Sequence, residues 1–157
     1  MKEKNHRLTN FLTEDNIQVK NRVSSWEEAI RVAAEPLYLE GAIESSYIEA
    51  MIQNIQSYGA YIYLGNGIAL PHASPEDGVN RTSFSLLKLD KPVNILNDSQ
   101  YKTEVIVVLA AKDNKEHLNA LDDFMRILDN DQYVRSILET TETKKILEVI
   151  RKSEQDD

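Results

Sequence analysis

The sequence predicts an α/β domain, a mixed β-sheet flanked by α-helices on both faces. Three observations predict it. Apolar spacing is helical in the first third, strand-like in the middle and helical again towards the end. The run Glu104–Ala111, EVIVVLAA, is apolar almost throughout, as a central strand covered on both faces is. The 157 residues, 41% of them apolar, suffice for one ordinary packed domain.

The elements follow in order. Ile17-Gln18-Val19 alternates apolar and polar side chains and reads as a short strand. Ser25 and Glu28 have capping-box spacing, and Trp26, Ala29, Ile30 and Ala33 then fall on one helical face. Pro36 is expected to end this helix or to lie just beyond it. A second helix is expected from about Glu44 to Tyr58, with Tyr47, Ile48, Met51, Ile52 and Ile55 as its apolar stripe and Gly59 at C′. The period then changes. Tyr61–Leu64 and Ile68–Leu70 read as strands joined by the turn Gly65-Asn66-Gly67. Ser83–Leu89 is another strand, and Lys91–Ile95 a short extended edge piece. After Asp113 a helix carries the stripe Leu118, Leu121, Phe124, Met125 and Leu128, expected in the core. Two further helices are expected near Gln132–Glu139 and Thr143–Lys152. The whole, residues 1–157, reads as a single domain with its core at about 10–152; the first dozen residues and Ser153–Asp157 are expected to be polar tails.

Composition excludes several classes of function. A net charge of −8 repels polyanions and anionic membrane surfaces, which argues against nucleic-acid binding and membrane docking. No apolar run approaches the roughly 20 residues that span a bilayer. The start, MKEKNHRLTN, is charged and lacks the apolar core of a signal peptide. Cysteine is absent, which removes disulfides, thiolate nucleophiles and thiolate metal ligands. The simplest compartment is cytoplasmic.

The chemistry concentrates around Gly67–Gly78, GIALPHASPEDG. Three of the five glycines and two of the four prolines lie in or beside this stretch, around one of only three histidines, His72. Pro71 cannot donate to a strand ladder, so pairing is expected to stop there and His72 to emerge at a sheet end. Neutral imidazole is a good nucleophile near neutral pH, provided its other nitrogen is held to fix the tautomer. Attack on a phosphoryl group gives a phosphohistidine, whose transfer relies on positioning and charge stabilisation. His117 lies in the sequence Asp113-Asn114-Lys115-Glu116-His117. With Asp113 or Asn114 as N-cap, it sits in the first turn of a helix, where N–H groups and positive potential suit a phosphate. Read as chemistry alone, a histidine placed like His72 is more often an ordinary loop residue than a nucleophile, and one placed like His117 more often a capping or surface residue. Asp122, Asp123, Asp129 and Asp131 read as a solvated face, and His6, in the N-terminal tail, has no assigned role.

Gly67-Ile68-Ala69-Leu70-Pro71-His72 resembles the active-site signature of the enzyme IIA domains of the bacterial sugar phosphotransferase system (PTS), mannitol/fructose type. The longer match, Tyr61-Ile62-Tyr63 through Ala73 and on to Pro75-Glu76-Asp77-Gly78-Val79, is most similar to the ascorbate-type branch. Trp26–Ile30 resembles the family's first helix, and Tyr47–Met51 the helix before the active-site strand. Glu116-His117-Leu118, followed by Leu121 and Leu128, resembles its second histidine and the helix that bears it. The resemblance covers about residues 10–152. It implies that His72 accepts a phosphoryl group from phospho-HPr and passes it to a cysteine of a IIB protein, for a membrane IIC transporter to use. It implies that His117 stabilises the phosphate, and it implies no metal and no organic cofactor. One departure stands out: Met51–Gln56 lacks the arginine that many mannitol- and fructose-type members carry there. The same resemblance admits a regulatory protein whose phosphohistidine state controls a binding partner. A metal hydrolase using His72, His117 and a carboxylate is a third class, for which the chain offers no dense ligand motif.

Overall fold

The computed structural model describes residues 10–155. Among them are five strands: β1 (Ile17–Lys20), β2 (Tyr63–Gly65), β3 (Ile68–Ala69), β4 (Ser83–Asn94) and β5 (Lys102–Ala110). Five α-helices accompany them: α1 (Trp26–Leu39), α2 (Ser45–Tyr58), α3 (Asn114–Leu128), α4 (Asp131–Glu139) and α5 (Thr143–Gln155). The sheet order is β1-β4-β5-β3-β2. β1 with β4 and β3 with β5 are parallel; β4 with β5 and β2 with β3 are antiparallel. The sheet is therefore mixed, as expected.

Alternation along β5 explains the two helical layers. Ile106, Val108 and Ala110 face α1 and α2, together with Leu87 and Leu89 of β4. Val105, Val107 and Leu109 face α3, α4 and α5, together with Phe84 and Leu86. A strand with apolar residues on both faces needs cover on both, and the helices at either end of the chain supply it.

β2 is Tyr63–Gly65 where Tyr61–Leu64 was expected, and several larger departures from the sequence expectation accompany it. Pro36 does not end α1 but lies inside it, three residues before the helix finishes at Leu39. The missing N–H leaves the Val32 carbonyl without its helical donor, and the side-chain amide of Gln18 in β1 donates to it at 2.7 Å. The Ser85 hydroxyl donates to the neighbouring Ala33 carbonyl at 2.5 Å. The last turn is also anchored by Leu37, which is fully buried. Lys91–Asn94 is not a separate edge piece but the end of β4; the ladder to β5 breaks between Lys88 and Val93 and then resumes. Pro92, which has no N–H to contribute, falls in the interrupted stretch.

At the termini, Phe11 and Leu12 belong to the core rather than a tail, with the Phe11 ring edge-on to Phe84 at 5.2 Å. α5 runs on to Gln155, with Ser153 buried and its hydroxyl donated to the Ile150 carbonyl at 2.6 Å. Residues 1–9, including His6, and 156–157 lie outside the described residues.

Candidate functional site

The site begins with a topological fact. β3 and β5 are parallel neighbours, with Ile68 opposite Val105 and Ala69 opposite Ile106. Their carboxyl ends therefore lie side by side at one end of the sheet, the usual place for a site in sheets with parallel strands. His72 follows β3 by three residues, and Asp113, the N-cap of α3, follows β5 by three. Two loops far apart in sequence thus open on the same edge.

The hairpin that feeds β3 is built for its turn. Asn66 and Gly67 have φ of 55° and 82°, the left-handed pair a two-residue hairpin of this twist requires. Gly67 then caps the β5 edge, its carbonyl accepting from the Glu104 and Val105 amides at 2.7 and 3.0 Å. Past Ala69 the ladder fades as Pro71 predicts, although the Pro71 carbonyl still accepts from Leu109 N–H at 3.1 Å.

His72 is half-buried, and its Nδ1 lies 2.8 Å from the Leu70 carbonyl. A carbonyl only accepts, so Nδ1 carries the proton and the Nε2 lone pair is left for chemistry. The His117 ring stands 5.1 Å away, centroid to centroid, and tilted by 59°. Its place on the helix is set by the Asp113 cap: the carboxylate accepts from Glu116 N–H at 2.8 Å, and the Asp113 carbonyl from His117 N–H at 3.0 Å. Burial, and secondarily the neighbouring His72, hold the His117 imidazole below its ordinary range. Near neutral pH it is an uncharged ring with one N–H to donate. The two histidines singled out in the sequence are thus in contact. Among the described residues, no three histidine, cysteine or acidic side chains gather as a metal site would require.

Two tyrosines complete the surroundings, and sequence reasoning gave neither a role. Tyr61 places its ring edge-on to His72, with centroids 5.5 Å apart, and donates its hydroxyl to the His72 carbonyl at 3.1 Å. Burial raises its pKa, and the Asn54 amide, which hydrogen-bonds the same hydroxyl, partly offsets this. Tyr47 is fully buried, and its hydroxyl donates to the Leu109 carbonyl at 2.6 Å and accepts from Ala73 N–H at 3.0 Å. A signal for Tyr47 was present: a tyrosine within a buried helical stripe must find a partner for its hydroxyl.

The loop that follows is docked on the start of α2. Glu44 N–H donates to the Gly78 carbonyl and Ser46 Oγ to the Asp77 carbonyl, each at 2.8 Å. Gly78 has φ +136°, and a Cβ there would meet Ser46 Oγ at 2.8 Å, so only glycine permits this approach.

The apolar run that precedes His72 does not form the rim of the site. Ile68 and Leu70 are 1% and 3% exposed and belong to the core, because β3 is covered on both faces. Leu64, on the edge strand β2, is exposed. On α3 the core face is Ala120, Phe124 and Ile127, whereas Leu118 and Met125 are 63% and 42% exposed. Of the expected stripe, Phe124 is buried and Leu121 and Leu128 pack partly buried against the same core, whereas Leu118 and Met125 face solvent. Asp123, read as solvated, is half-buried. Tyr61, Leu64, Leu118 and Met125 thus leave apolar surface open, with Tyr61 touching His72 and Leu118 next to His117 in the chain.

Comparison with known proteins agrees with this fold. Residues 10–153 match the family model described as phosphoenolpyruvate-dependent sugar phosphotransferase system, EIIA 2. The ascorbate-specific PTS system EIIA component of Escherichia coli (strain K12) is 30% identical over 112 residues, covering 71% of this chain and 73% of that protein. The mannitol-specific cryptic phosphotransferase enzyme IIA of Escherichia coli superposes with a TM-score of 0.86 at 27% identity, over 93% of this chain and 99% of that one. Mannitol enzyme IIA of the same organism, solved in complex with phosphorylated mannitol enzyme IIB, gives a TM-score of 0.77 at 26% identity, over 88% and 95% of the respective chains. The paired histidines at the carboxyl ends of β3 and β5, on a mixed sheet of this order, thus lie in a chain that belongs to the EIIA type 2 family of the sugar phosphotransferase system.

Proposed function

We propose that this chain is the phosphoryl-carrier IIA component of a sugar phosphotransferase system, with His72 as acceptor and donor of the phosphoryl group. The supporting observation is the Nδ1–Leu70 contact at 2.8 Å, which leaves Nε2 as the nucleophile beside the His117 ring. In the first step the Nε2 lone pair forms a bond to phosphorus as the N–P bond of phospho-HPr breaks, and the donor imidazole leaves with that electron pair. Positive charge develops on the His72 ring during attack, and the Leu70 carbonyl, already accepting from Nδ1–H, stabilises it. In the second step a cysteine thiolate of the IIB partner bonds to phosphorus and the His72 N–P bond breaks, returning the pair to Nε2. A membrane IIC transporter uses the group thereafter.

His117, in this reading, donates its N–H to an oxygen of the phosphoryl group. An uncharged donor suits a group that must also leave, since it stabilises without trapping. The mannitol relative solved with its phosphorylated IIB is consistent with a IIB partner here. The open apolar rim suits brief contacts with two successive proteins, at the small end of interface sizes. The 157 residues contain no cysteine, so the acceptor thiolate lies outside them, and the lack of disulfides suits a cytoplasmic setting.

The test is incubation with phosphoenolpyruvate, enzyme I and HPr, followed by mass spectrometry. One acid-labile phosphoryl group on His72 is expected, with onward transfer to a IIB cysteine. His72→Ala is expected to fold and to take up none. Phosphorylation at another residue overturns the assignment; uptake with no transfer to any IIB favours a regulatory role instead.

A further inference from the structure

We propose that the Tyr47 hydroxyl is a positioning group for the two-imidazole site. It fixes the spacing of His72 and His117 by tying the residue after His72 to the strand that leads to His117. The proposal rests on the carrier reading above and adds a residue to its machinery.

Tyr47 opens the buried stripe of α2, in the helix's first turn, and has no exposed surface. Its hydroxyl has one proton and lies 2.6 Å from the Leu109 carbonyl and 3.3 Å from the Ala73 carbonyl; the shorter contact is the donated bond. The oxygen accepts from Ala73 N–H at 3.0 Å. Burial pushes the phenol well above its ordinary range, so it remains a donor throughout the working pH range. One hydroxyl thus joins both loops of the site: Ala73 adjoins His72, and Leu109 lies four residues before the Asp113 cap. The direct contact between Pro71 and Leu109 secures the same junction from the other side. α2 is a fixed frame for this clamp, since its first turn also holds Asp77 and Gly78 at the far end of the loop.

Tyr47 acts on the imidazoles through the backbone, by way of Ala73 and Leu109. Transfer depends steeply on placement, and a displacement of about 1 Å is enough to cost on the order of 10²-fold in rate. Removing the hydroxyl leaves the Ala73 amide without its acceptor and frees the loop to shift relative to β5.

Tyr47→Phe keeps the ring in the core and removes only the oxygen. In the phospho-HPr assay it is expected to lower kcat about 10- to 100-fold with KM for phospho-HPr unchanged, because the exposed rim is untouched. The NOE between the His72 and His117 rings is expected to weaken. In a His117→Ala background the same change is expected to cost little more, because the spacing it maintains no longer has a second imidazole. Wild-type kcat in a folded Tyr47→Phe protein overturns the proposal. So does a loss that multiplies with that of His117→Ala, which marks a purely structural residue. The unsubstituted protein gives an independent measure: slow exchange of the Ala73 amide is expected, and exchange as fast as an open loop amide refutes the clamp. Failure of the carrier reading is distinguishable, since the unsubstituted protein then takes up no phosphoryl group at His72.

Discussion

At the residue scale the site depends on two imidazoles held in different states of use. His72 has one nitrogen committed to a backbone carbonyl and one open. His117 is kept neutral by burial first and by its neighbour second. The sign of the resulting pH dependence follows. The folded state holds the His117 proton less tightly than the unfolded chain, whose histidine has the ordinary value of 6.5. In the window between the folded and unfolded values the unfolded chain binds more protons, so stability rises with pH there and falls as pH drops through the folded value. The acid limb of a denaturation series is therefore expected to be shallower in His117→Gln than in the unsubstituted protein; identical limbs refute the depressed value. A phosphoryl dianion on His72 acts the other way, favouring imidazolium, so NMR titration is expected to show the His117 pKa rising on phosphorylation. His117→Ala, lacking the proposed contact to the phosphoryl oxygens, is expected to slow transfer by about 10²-fold while leaving His72 able to react. Much of this pair was legible in the sequence, because Pro-His after an apolar run and a capped histidine each have a local chemical reason. Tyr47 and Tyr61 were not, because their roles lie in partners such as Ala73, Leu109 and the His72 carbonyl that only the fold supplies.

At the scale of the elements, the sequence failed where a neighbour overrides a local rule. Pro36 is a helix breaker by its own chemistry, yet α1 continues through it because Gln18, across the sheet interface, donates to the carbonyl that the proline orphans. Nothing near Pro36 in the sequence announces that donor. The claim is testable as a coupling. Gln18→Ala is expected to lower stability by roughly 1 kcal/mol, measured by urea denaturation, because it leaves the Val32 carbonyl without its donor. In a Pro36→Ala background, where residue 36 regains an N–H for that carbonyl, the same substitution is expected to cost clearly less. Equal costs in both backgrounds disprove the compensation. The α3 stripe held only in part. Of Leu118, Leu121, Phe124, Met125 and Leu128, Phe124 is buried beside Ala120 and Ile127 and Leu121 and Leu128 pack against the same core, but Leu118 and Met125 are exposed. Periodicity says that a helix has an apolar side; it does not say where that side ends when exposed apolar residues serve another purpose.

At the scale of the whole molecule, the mixed order β1-β4-β5-β3-β2 brings residues 72 and 117 to one edge, and no local pattern contains that information. What the sequence did contain was the two-sided β5 run, from which a sheet with helices on both faces follows. The same architecture places the exposed Leu118 next to His117, on an acidic molecule whose proposed donor and acceptor proteins must approach the same histidine. If one patch serves both encounters, then damage to it must weaken both half-reactions alike and spare the chemistry. Leu118→Asp removes apolar contact from the rim at a position 63% exposed, so folding stability is expected to change by less than about 0.5 kcal/mol. KM for phospho-HPr and KM for the IIB acceptor are both expected to rise, about tenfold, with each kcat nearly unchanged. Leu39→Asp, at a position 73% exposed at the end of α1, is the control and is expected to alter neither. A Leu118→Asp protein that loses only one of the two affinities shows that the partners read different surfaces. One that loses kcat instead shows that Leu118 serves the imidazole beside it rather than a docking face.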